Sequence, residues 1–518
     1  MKKYFGIDFG NGTCSISSID ENGENLEVLK NNLGEDKIKS KIAFKDINTV
    51  IVGKDSFNDE KLENIELIKS KFGIQKGVKI KGENRSIQYC GAILINYLLR
   101  NILNKNSLEK AVITIPAIYG QRDRRIIYDS ALQASIKNVE LIEEPSAAAI
   151  YYIYDENKDK ANNTMREKDI LIFDFGAGTL DMSLINITYN KEGIKASVKT
   201  TAGEKNLGGY LIDVSLAEYI LDVYIEEFDV EELEYLRKHI TNLRDKYVLS
   251  DYTYLDTLDK NIRMYIQKLI LYSEEVKKKL SINKSATVKL SNYEKFEITK
   301  EDFEKYVLDN CITTRINDLV SKFISENQSN IDEIVMVGGS SQIPYIKELL
   351  GNKFNNKKII TKPDYINAVS LGAAITSALN SDVNLKPFGK NNFKGVIPNN
   401  IYLKFNGEDH LIFKKGTSYP YKKIEKVKIP YSLVSSIQVE VKENDETLDK
   451  INFYHPCFYT GDILNIYCDI DDKGIMSFKA EHEESKEFII IDVESTNRLT
   501  SKQIEGGIEN IKEKLKFE

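Results

Sequence analysis

One short motif occurs twice in the 518-residue chain, as Asp-Phe-Gly-Asn-Gly-Thr at residues 8–13 and as Asp-Phe-Gly-Ala-Gly-Thr at residues 174–179. Each copy follows an apolar run that predicts a buried strand, and each precedes a predicted return strand. Glycines in such turns tolerate positive φ and let backbone N–H groups approach a phosphate. Two facing hairpins of this kind could hold a polyphosphate from both sides, with Asp8 and Asp174 directed at its metal ion. Ordinary tight turns can contain the same residues, but two copies, each behind an apolar strand, favour the phosphate site.

The composition is typical of a globular protein, with 42% hydrophobic and 29% charged residues. A formal net charge of -7 gives no electrostatic reason to expect nucleic acid or an anionic membrane as a partner. No run of about 18 apolar residues is present and no signal peptide is recognised, so we expect a cytoplasmic protein. The five cysteines are scattered without a CxxC pair, which argues against a disulfide framework and against a zinc site.

The pattern of predicted secondary structure changes once along the chain, near residue 380. Before that point strand patterns alternate with helical stretches, which predicts α/β architecture. A strand at residues 111–115, a helix from residue 121 and a charged helical stretch at 211–279 are examples. After residue 380 short alternating β-type runs are separated by turns, which predicts an antiparallel β-sandwich. The last stretch, residues 500–515, has helical periodicity.

Five strings occur in order along the chain: Ile113-Thr-Ile-Pro116, Glu144-Pro-Ser-Ala-Ala-Ala149, Phe173-Asp-Phe-Gly-Ala-Gly-Thr179, Leu207-Gly-Gly209 and Val337-Gly-Gly-Ser-Ser-Gln-Ile-Pro344. As a set they resemble the heat-shock chaperones of the seventy-kilodalton class, the DnaK type, within the actin, sugar-kinase and heat-shock ATPase superfamily. Residues 469–475 are similar to a strand-turn-strand signature of that family's peptide-binding sandwich, and residues 498–504 resemble the start of its helical lid. The resemblance therefore covers nearly the whole chain.

This resemblance implies a two-lobed, actin-like α/β ATPase domain followed by a β-sandwich peptide-binding domain and a short C-terminal helix. The implied boundaries are 1–380 for the ATPase domain (lobe I about 1–165, lobe II about 166–380), 381–395 for the linker, 396–493 for the sandwich and 494–518 for the helix, a truncated lid. Only Asp382-Val-Asn-Leu385 corresponds to the leucine-rich acidic stretch that the family's linker normally carries.

The resemblance also implies Mg-ATP or ADP bound between the lobes and phosphoryl transfer from ATP to water. The implied catalytic residues are Lys69, Glu144, Asp174, Thr179 and Asp181, with Lys71 as an alternative cation to Lys69. Asp8 and Asp174 are implied as metal ligands, mostly through water. The implied phosphate contacts are Gly10, Asn11, Gly12, Thr13, Gly176, Ala177, Gly178 and Thr179. The other implied nucleotide contacts are Gly208, Gly209, Glu274, Lys277, Lys278, Ser281, Gly338, Gly339 and Ser340.

Implied partners are unfolded or extended polypeptides, a J-domain co-chaperone and a nucleotide exchange factor. The peptide groove is expected in loops around residues 405–409 and 429–433. In the family, residues matching Pro116, Arg122 and Glu144 couple nucleotide state to the second domain.

The chain departs from the family pattern at Asn11 and Gly12, where two hydroxyl residues are usual, and at Gln342, where an arginine commonly stacks on adenine. The divergent linker and Asn11-Gly12 favour one alternative, a nucleotide-binding scaffold or exchange factor with negligible hydrolysis. Another is a small-molecule kinase or filament-forming ATPase of the same superfamily, although the sandwich signature counts against it.

Overall fold

The computed structural model describes residues 2–53, 62–75, 77–157, 166–190, 193–291, 293–327, 331–355, 357–381, 383–385, 388–488, 490–495 and 499–518. In this part of the chain, no helix combines the length and the apolar character needed to cross a bilayer.

The first α/β unit is built on a mixed sheet with strand order β11-β10-β1-β2-β3. Its elements are β1 (Lys3–Phe9), β2 (Thr13–Asp20), β3 (Glu27–Val28), β4 (Ile38–Lys39), β5 (Ile42–Phe44), β6 (Thr49–Val52), β7 (Glu63–Ile65), β8 (Gly77–Ile80), β9 (Glu83–Ser86), α1 (Ile87–Asn101), β10 (Leu108–Ile115), α2 (Gln121–Gln133), β11 (Ile136–Glu143) and α3 (Glu144–Asn157). Strand β1 is antiparallel to β2 and parallel to β10. A smaller sheet beside it contains β6, β5 and β7.

The second α/β unit repeats this arrangement with the order β18-β17-β12-β13-β14 and one further edge strand, β19. Its elements are β12 (Arg166–Phe175), β13 (Thr179–Asn190), β14 (Gly193–Lys205), α4 (Gly209–Phe228), α5 (Glu234–Val248), α6 (Lys260–Leu280), β15 (Ser285–Val288), β16 (Phe296–Thr299), α7 (Lys300–Asp302), α8 (Thr314–Glu326), β17 (Glu333–Val337), α9 (Pro344–Lys353), β18 (Lys358–Ile360), α10 (Ala368–Leu379) and β19 (Phe388–Lys394). Strand β12 is antiparallel to β13 and parallel to β17, so both motif copies lie at equivalent places in equivalent sheets.

Helix α10 joins the two units because small residues let it approach the first sheet closely. A Cβ built at Gly6 in β1 would lie 2.1 Å from the backbone nitrogen of Ala374 in this helix. A Cβ at Gly372 would lie 1.8 Å from the carbonyl oxygen of Ala147 in α3. Any side chain at either glycine would force the elements apart, since packed interiors have no spare volume of this size.

Residues 396–495 form the C-terminal β unit, which consists of two antiparallel sheets with the orders β21-β20-β23-β24-β27 and β22-β25-β26. Its strands are β20 (Ile401–Phe405), β21 (Glu408–Phe413), β22 (Tyr421–Lys428), β23 (Val434–Glu443), β24 (Glu446–Phe458), β25 (Ile463–Ile470), β26 (Met476–His482) and β27 (Ile490–Ser495). Both sheets contribute to one hydrophobic core, for example through Leu403 and Val439 from the first and Ile466 from the second. The alternation of apolar and polar residues along β20 and β25 follows from this one-sided burial.

The connection to the C-terminal β unit pairs with the second sheet. Strand β19 runs parallel to β14, with Phe388 opposite Ile194. Of the predicted acidic stretch, Leu385 is buried in the core between the α/β units, whereas Asp382 lies outside the described residues. Strand β19, which extends the second sheet, therefore begins after residues 382–385, the stretch that corresponds to the family's linker motif.

The C-terminal segment folds back onto the first α/β unit. Helix α11 (Ser501–Glu509) begins with a capping box formed by Thr500 and Gln503, and a final strand, β28 (Lys516–Phe517), follows. Helix α11 packs against α2. One more helical turn, residues 510–514, continues α11, so the helical part spans residues 501–514 within the predicted 494–518. It lies on the first α/β unit, not across the C-terminal β unit. Arg498 of the lid-like signature lies outside the described residues.

Candidate functional site

The two motif copies form hairpins of the same geometry. In the first, the N–H of Gly10 donates to the carbonyl of Thr13 at 3.1 Å. In the second, the N–H of Gly176 donates to the carbonyl of Thr179 at 3.1 Å. The strand registers are equivalent, with Asp8 opposite Ser15 and Asp174 opposite Asp181. The sequence repeat is therefore a structural repeat.

The hairpins meet at their tips and line one cavity of about 740 Å³ between the two α/β units. A Cβ built at Gly12 would lie 2.6 Å from the Cβ of Ala177, and one at Gly178 would lie 2.2 Å from Nδ2 of Asn11. These glycines are needed because the tips could not approach so closely with larger side chains. Asn11 is fixed by Ser70, whose hydroxyl oxygen accepts from its amide at 2.6 Å.

Buried carboxyl groups with raised pKa values surround the hairpins. Burial raises the pKa of Asp174 well above its ordinary value, and the charges of Glu144, Asp181 and Asp8 raise it further. Burial likewise raises the pKa of Glu144 to about 7, although the ammonium of Lys69 opposes the shift. The pKa of Asp181 rises to about 6 through burial, against a hydrogen bond from Thr179. The site therefore favours an added positive charge.

Lys69 and Lys71 were both candidate cations, and of the two Lys69 faces the cavity. Its ammonium lies 2.5 Å from Oε1 of Glu144, and the side chain is 3% exposed. Lys71 lies 3.7 Å from Asp256, outside the cavity lining. Of the two lysines, Lys69 is thus the one that lines the cavity.

Helix α6 of the second α/β unit forms another part of the cavity wall. Glu274, Lys277, Lys278 and Ser281 all line it, as their spacing on one helix face predicts. Lys277 forms an ion pair with Asp213 at 2.7 Å and donates to the carbonyl of Gly209 at 3.2 Å.

The glycine-rich turn after β17 closes against the second hairpin. Gly338 has a φ of 85°, and a Cβ there would lie 2.6 Å from Oδ1 of Asp174. The hydroxyl of Ser340 donates to the carbonyl of Gly176 at 2.8 Å. Gly339 also lines the cavity.

Apart from the alternative cation Lys71, two predicted site residues lie behind the cavity wall, and the others line it. Asp181 is fully buried and accepts from the N–H of Ile118 at 3.2 Å. Gly208 packs behind the second hairpin, where a Cβ would lie 2.5 Å from the carbonyl oxygen of Ala177. Both residues are therefore placed to support the lining, not to form it.

Three cavity lysines, Lys37, Lys39 and Lys41, were not predicted from the sequence. Lys39 forms an ion pair with Glu274 across the cavity, and Lys41 forms one with Glu66 at 3.0 Å. Lys37 donates to the carbonyl of Ile366 at 2.7 Å. The sequence did contain a signal for these residues, which is the lysine at every second position. Alternate residues of an extended segment point to the same side, so the spacing predicts three lysines on one face.

The donor set suits a hard divalent cation. Carboxylates bind such ions together with phosphate oxygens and water. Within the described ranges, no three His, Cys, Asp or Glu side chains converge closely enough to hold a metal by themselves. Asp8 and Asp174 both line the cavity, and the charges of the neighbouring carboxyl groups raise the pKa of Asp174, so a cation there would relieve their repulsion. The two residues therefore fit a Mg²⁺ that takes most of its ligands from water and phosphate.

The raised pKa of Glu144 predicts that the free energy of unfolding of the ligand-free protein falls as the pH rises toward neutrality. A carboxyl group that holds its proton more tightly in the folded protein stabilises the fold at low pH. That contribution is lost as pH rises from the unfolded value of 4.5 to the folded value of about 7. We expect the ligand-free Glu144→Gln protein to gain stability relative to the unsubstituted protein over this window, measured by thermal unfolding. Glu109→Gln, at an exposed site, is the control. Parallel pH curves for all three proteins would contradict this assignment.

A second network joins the first α/β unit to the C-terminal β unit next to the cavity. The carboxylate of Glu143, which precedes Glu144, accepts from Arg124 at 2.6 Å and from the hydroxyl of Tyr419 at 2.5 Å. Arg122 donates to Glu446 at 3.0 Å. The residues that face the cavity and those that face the C-terminal β unit are thus neighbours in the chain.

Helix α2 adds further contacts to the same junction. The backbone N–H of Gln121 donates to Glu443 at 3.0 Å, and its side-chain amide donates to the carbonyl of Gly474 at 2.8 Å. Its side-chain oxygen accepts from the N–H of Met476 at 2.9 Å. The start of α2 therefore contacts both the β23 end and the β25–β26 turn of the C-terminal β unit.

The loops predicted to form a peptide groove lie together at one end of the C-terminal β unit. Phe405 and Ile429 are buried in its core, so they are not groove residues. Tyr431 and Leu433 are exposed, and the Tyr431 hydroxyl donates to Oδ1 of Asn406 at 2.7 Å. The exposed apolar members of these loops are the ones available to contact a peptide.

Comparison with known proteins gives one family. The model of the family described as Hsp70 protein matches residues 64–253 and 246–517. Heat shock cognate 70 kDa protein 3 of Dictyostelium discoideum is 28% identical over 78% of this chain and 61% of its own length. Chaperone protein DnaK of Mycoplasma mycoides subsp. mycoides is 24% identical over 99% of this chain and 83% of its own. Heat shock cognate HSP70 protein of Trypanosoma brucei brucei is 25% identical over 97% and 77%.

Proposed function

The chain belongs to the Hsp70 family, and on that premise we propose that it is an ATP-dependent molecular chaperone of the DnaK type. In this proposal Mg-ATP binds in the cavity between the α/β units, and its hydrolysis controls the binding of unfolded polypeptide by the C-terminal β unit, acting as a peptide-binding β-sandwich. The observation that carries the proposal is the pair of equivalent hairpins facing each other beside Lys69 and Glu144.

Nucleotide binding would use backbone and side-chain groups from both units. The N–H groups of the two hairpin tips fit the phosphates, because glycine leaves them accessible. Glu274, Lys277 and Ser281 of α6, with the turn at Gly338 and Gly339, would hold the nucleoside end. Bound Mg²⁺, held by Asp8 and Asp174 through water, would neutralise charge on the phosphate oxygens.

Hydrolysis needs little covalent chemistry from the protein, so positioning and charge stabilisation dominate. Lys69 would stabilise the charge on the transferred phosphoryl group. Glu144, with a pKa of about 7, would orient the attacking water and accept its proton near neutral pH. Thr179 lines the cavity and would direct its hydroxyl to the phosphate, while the buried carboxyl group of Asp181 lies behind the lining.

Coupling to the C-terminal β unit would pass through residues 143 and 144. A change at Glu144 on nucleotide binding would move Glu143, and with it the contacts to Arg124 and Tyr419. Arg122 and Gln121 contact the same β unit from the start of α2. A J-domain co-chaperone and a nucleotide exchange factor are proposed as partners on the family resemblance alone.

The decisive experiment is steady-state ATP hydrolysis with and without an unfolded polypeptide. We expect slow Mg²⁺-dependent turnover that the polypeptide accelerates and that Asp174→Asn abolishes. Asp169→Asn, at the outer end of β12, is a matched control, because Asp169 pairs with Lys199 away from the cavity. Turnover that is indifferent to polypeptide would reject the chaperone cycle while leaving the ATPase in place.

One feature favours a second candidate, a nucleotide-binding scaffold or exchange factor with negligible hydrolysis. At the first hairpin the amide of Asn11 is engaged by Ser70, and Gly12 has no side chain, so neither offers a hydroxyl to the phosphate. Nucleotide binding in equilibrium titration without measurable turnover would select this candidate.

The ion pair between Lys39 and Glu274 predicts a gate at the cavity, since it joins β4 of the first unit to α6 of the second. We expect Lys39→Ala to raise the dissociation rate of a fluorescent ADP analogue about fivefold, equivalent to about 1 kcal/mol. Lys279→Ala is the control, because Lys279 is an exposed lysine of α6 that lies outside the cavity lining. Equal rates for the two variants would show that the cross-cavity pair does not limit release.

A further inference from the structure

The C-terminal segment, residues 499–518 and called the clasp below, contacts the first α/β unit along its length. The N–H of Leu499 donates to Asp129 at 3.0 Å. The hydroxyl of Tyr89 donates to Asn510 at 2.6 Å. Ile511 and Leu515 belong to the hydrophobic core of the first unit, with 0% and 3% exposure. The clasp is therefore anchored by buried side chains as well as by polar contacts.

The end of the clasp's helical part is capped by Arg100 of α1. Its guanidinium donates to three carbonyl oxygens, those of Ile511, Lys512 and Leu515, at 2.8, 2.6 and 3.0 Å. The last carbonyls of a helix lack intrahelical partners, and a cation there is favourable. The ring of Phe517 lies 5.7 Å from the same guanidinium. One side chain of the first unit thus holds the helix end and the residues that follow it.

The clasp then adds a strand to the small sheet of the first unit. Strand β28 runs parallel to β6, with Lys516 opposite Thr49 and Phe517 opposite Val50. The N–H of Lys516 donates to the carbonyl of Asn48 at 2.8 Å, and that of Glu518 donates to the carbonyl of Val50 at 3.0 Å. The sheet has the order β28-β6-β5-β7, so the clasp covers an edge that would otherwise present unpaired backbone groups.

This sheet carries two segments of the cavity wall. Strand β5 begins directly after residues 37–41, and β7 ends directly before residues 66–69. Both segments line the cavity, and the Lys41–Glu66 ion pair joins them at 3.0 Å. Because β5 pairs with both β6 and β7, a displacement of the sheet moves both segments together.

We propose that the clasp is an internal positioning element for the nucleotide site: by completing this sheet it holds residues 37–41 and 66–69 in place and slows nucleotide release. The second part rests on the proposed nucleotide binding. Linkage requires the effect to be reciprocal, so bound nucleotide strengthens the docking of the clasp. The clasp also ties the chain beyond the C-terminal β unit back to the first α/β unit, where α11 packs on α2.

The test uses the full chain with Ile511→Ser and Leu515→Ser combined, a variant that lacks the buried anchors. Lys512→Ser combined with Lys514→Ser is the matched control, because these two side chains are exposed. Arg100→Ala is a second route to the same state that leaves the clasp sequence intact. Hydrogen–deuterium exchange of residues 37–53 and the dissociation rate of a fluorescent ADP analogue are measured for these three variants and the unsubstituted protein.

We expect the variant without the buried anchors and Arg100→Ala to exchange faster at residues 37–53 and to release nucleotide about tenfold faster. The control pair should match the unsubstituted protein. Faster exchange with unchanged release would overturn the coupling to nucleotide, and unchanged exchange in both variants would overturn the positioning role itself. Absence of nucleotide binding by the unsubstituted protein would reject the proposed function, whereas the exchange data would still decide whether the clasp holds the sheet.

Discussion

Replacing Lys69 by alanine is expected to lower the ATP hydrolysis rate about 10²- to 10³-fold. Two consequences of the structure add up in this variant. The cation proposed to stabilise the transferred phosphoryl group is lost, and Glu144 is left buried without the ammonium that lies 2.5 Å from it. The pKa of Glu144 then rises further, because burial already raises it and Lys69 is the main opposing charge. Steady-state hydrolysis under saturating Mg-ATP measures the effect.

Nucleotide affinity separates this loss from a binding defect. The hairpin tips contribute backbone groups, which the substitution does not alter, so we expect Lys69→Ala to bind ADP within about threefold of the unsubstituted protein. Lys71→Ala is the matched control, since Lys71 is buried but pairs with Asp256 away from the cavity lining. Full activity in Lys69→Ala together with loss in Lys71→Ala would reverse the assignment of the two lysines.

Arg124→Met is expected to destabilise the protein by about 3–5 kcal/mol, the range for removing one partner of a buried ion pair. Arg124 is fully buried, with 0% side-chain exposure, and donates to Glu143 at 2.6 Å and to the carbonyl of Tyr119 at 3.2 Å. The substitution leaves Glu143 charged and buried, with the Tyr419 hydroxyl still donating to it. We expect the contact with the C-terminal β unit to loosen as well. Equilibrium urea unfolding and limited proteolysis between the units measure the two effects.

Two further variants test the cause of this loss. In Arg124→Met with Glu143→Met no charge stays behind, so much of the stability should return, because buried pairs often gain little over apolar residues. Arg122→Met is the control on the same helix, and it should cost under about 1 kcal/mol, because its partner Glu446 is 72% exposed. Equal losses of unfolding free energy in Arg124→Met and Arg122→Met would show that the buried network does not hold the first α/β unit and the C-terminal β unit together.

The fold around the cavity was predictable because its signals are local. An apolar strand that ends in a glycine-bearing turn specifies its own hairpin, and both copies form the hairpins expected. Residues at the ends of such strands converge once equivalent sheets face each other. Most of the predicted set lines one cavity for this reason, including the α6 residues, whose spacing places them on one helix face.

Other features depended on segments that are far apart in the chain. The pattern Lys69-x-Lys71 did not distinguish the two lysines, because the choice depends on Glu144 and Asp256, which lie in separate elements. The Lys39–Glu274 pair joins the two units across the cavity and has no local signature. Asp181 follows the second motif copy by two residues, yet the hairpin register places it in the buried layer behind the cavity lining.

By itself, the sequence determined the two equivalent hairpins, the alternation of strands and helices before residue 380 and the β-rich unit after it, since periodicity and turn residues act within a few positions of the chain. Only the tertiary structure decided which lysine faces the cavity, how Glu143 joins Arg124 to Tyr419, and where the clasp docks. The clasp shows the reason most directly. Its helix pattern predicts an amphipathic segment, but the surface that buries Ile511 and Leu515 is assembled from elements about 400 residues earlier in the chain, such as α1. The hydrophobic effect is non-directional. An amphipathic pattern therefore predicts that the apolar face of a helix is buried, but it does not predict which part of the protein buries that face.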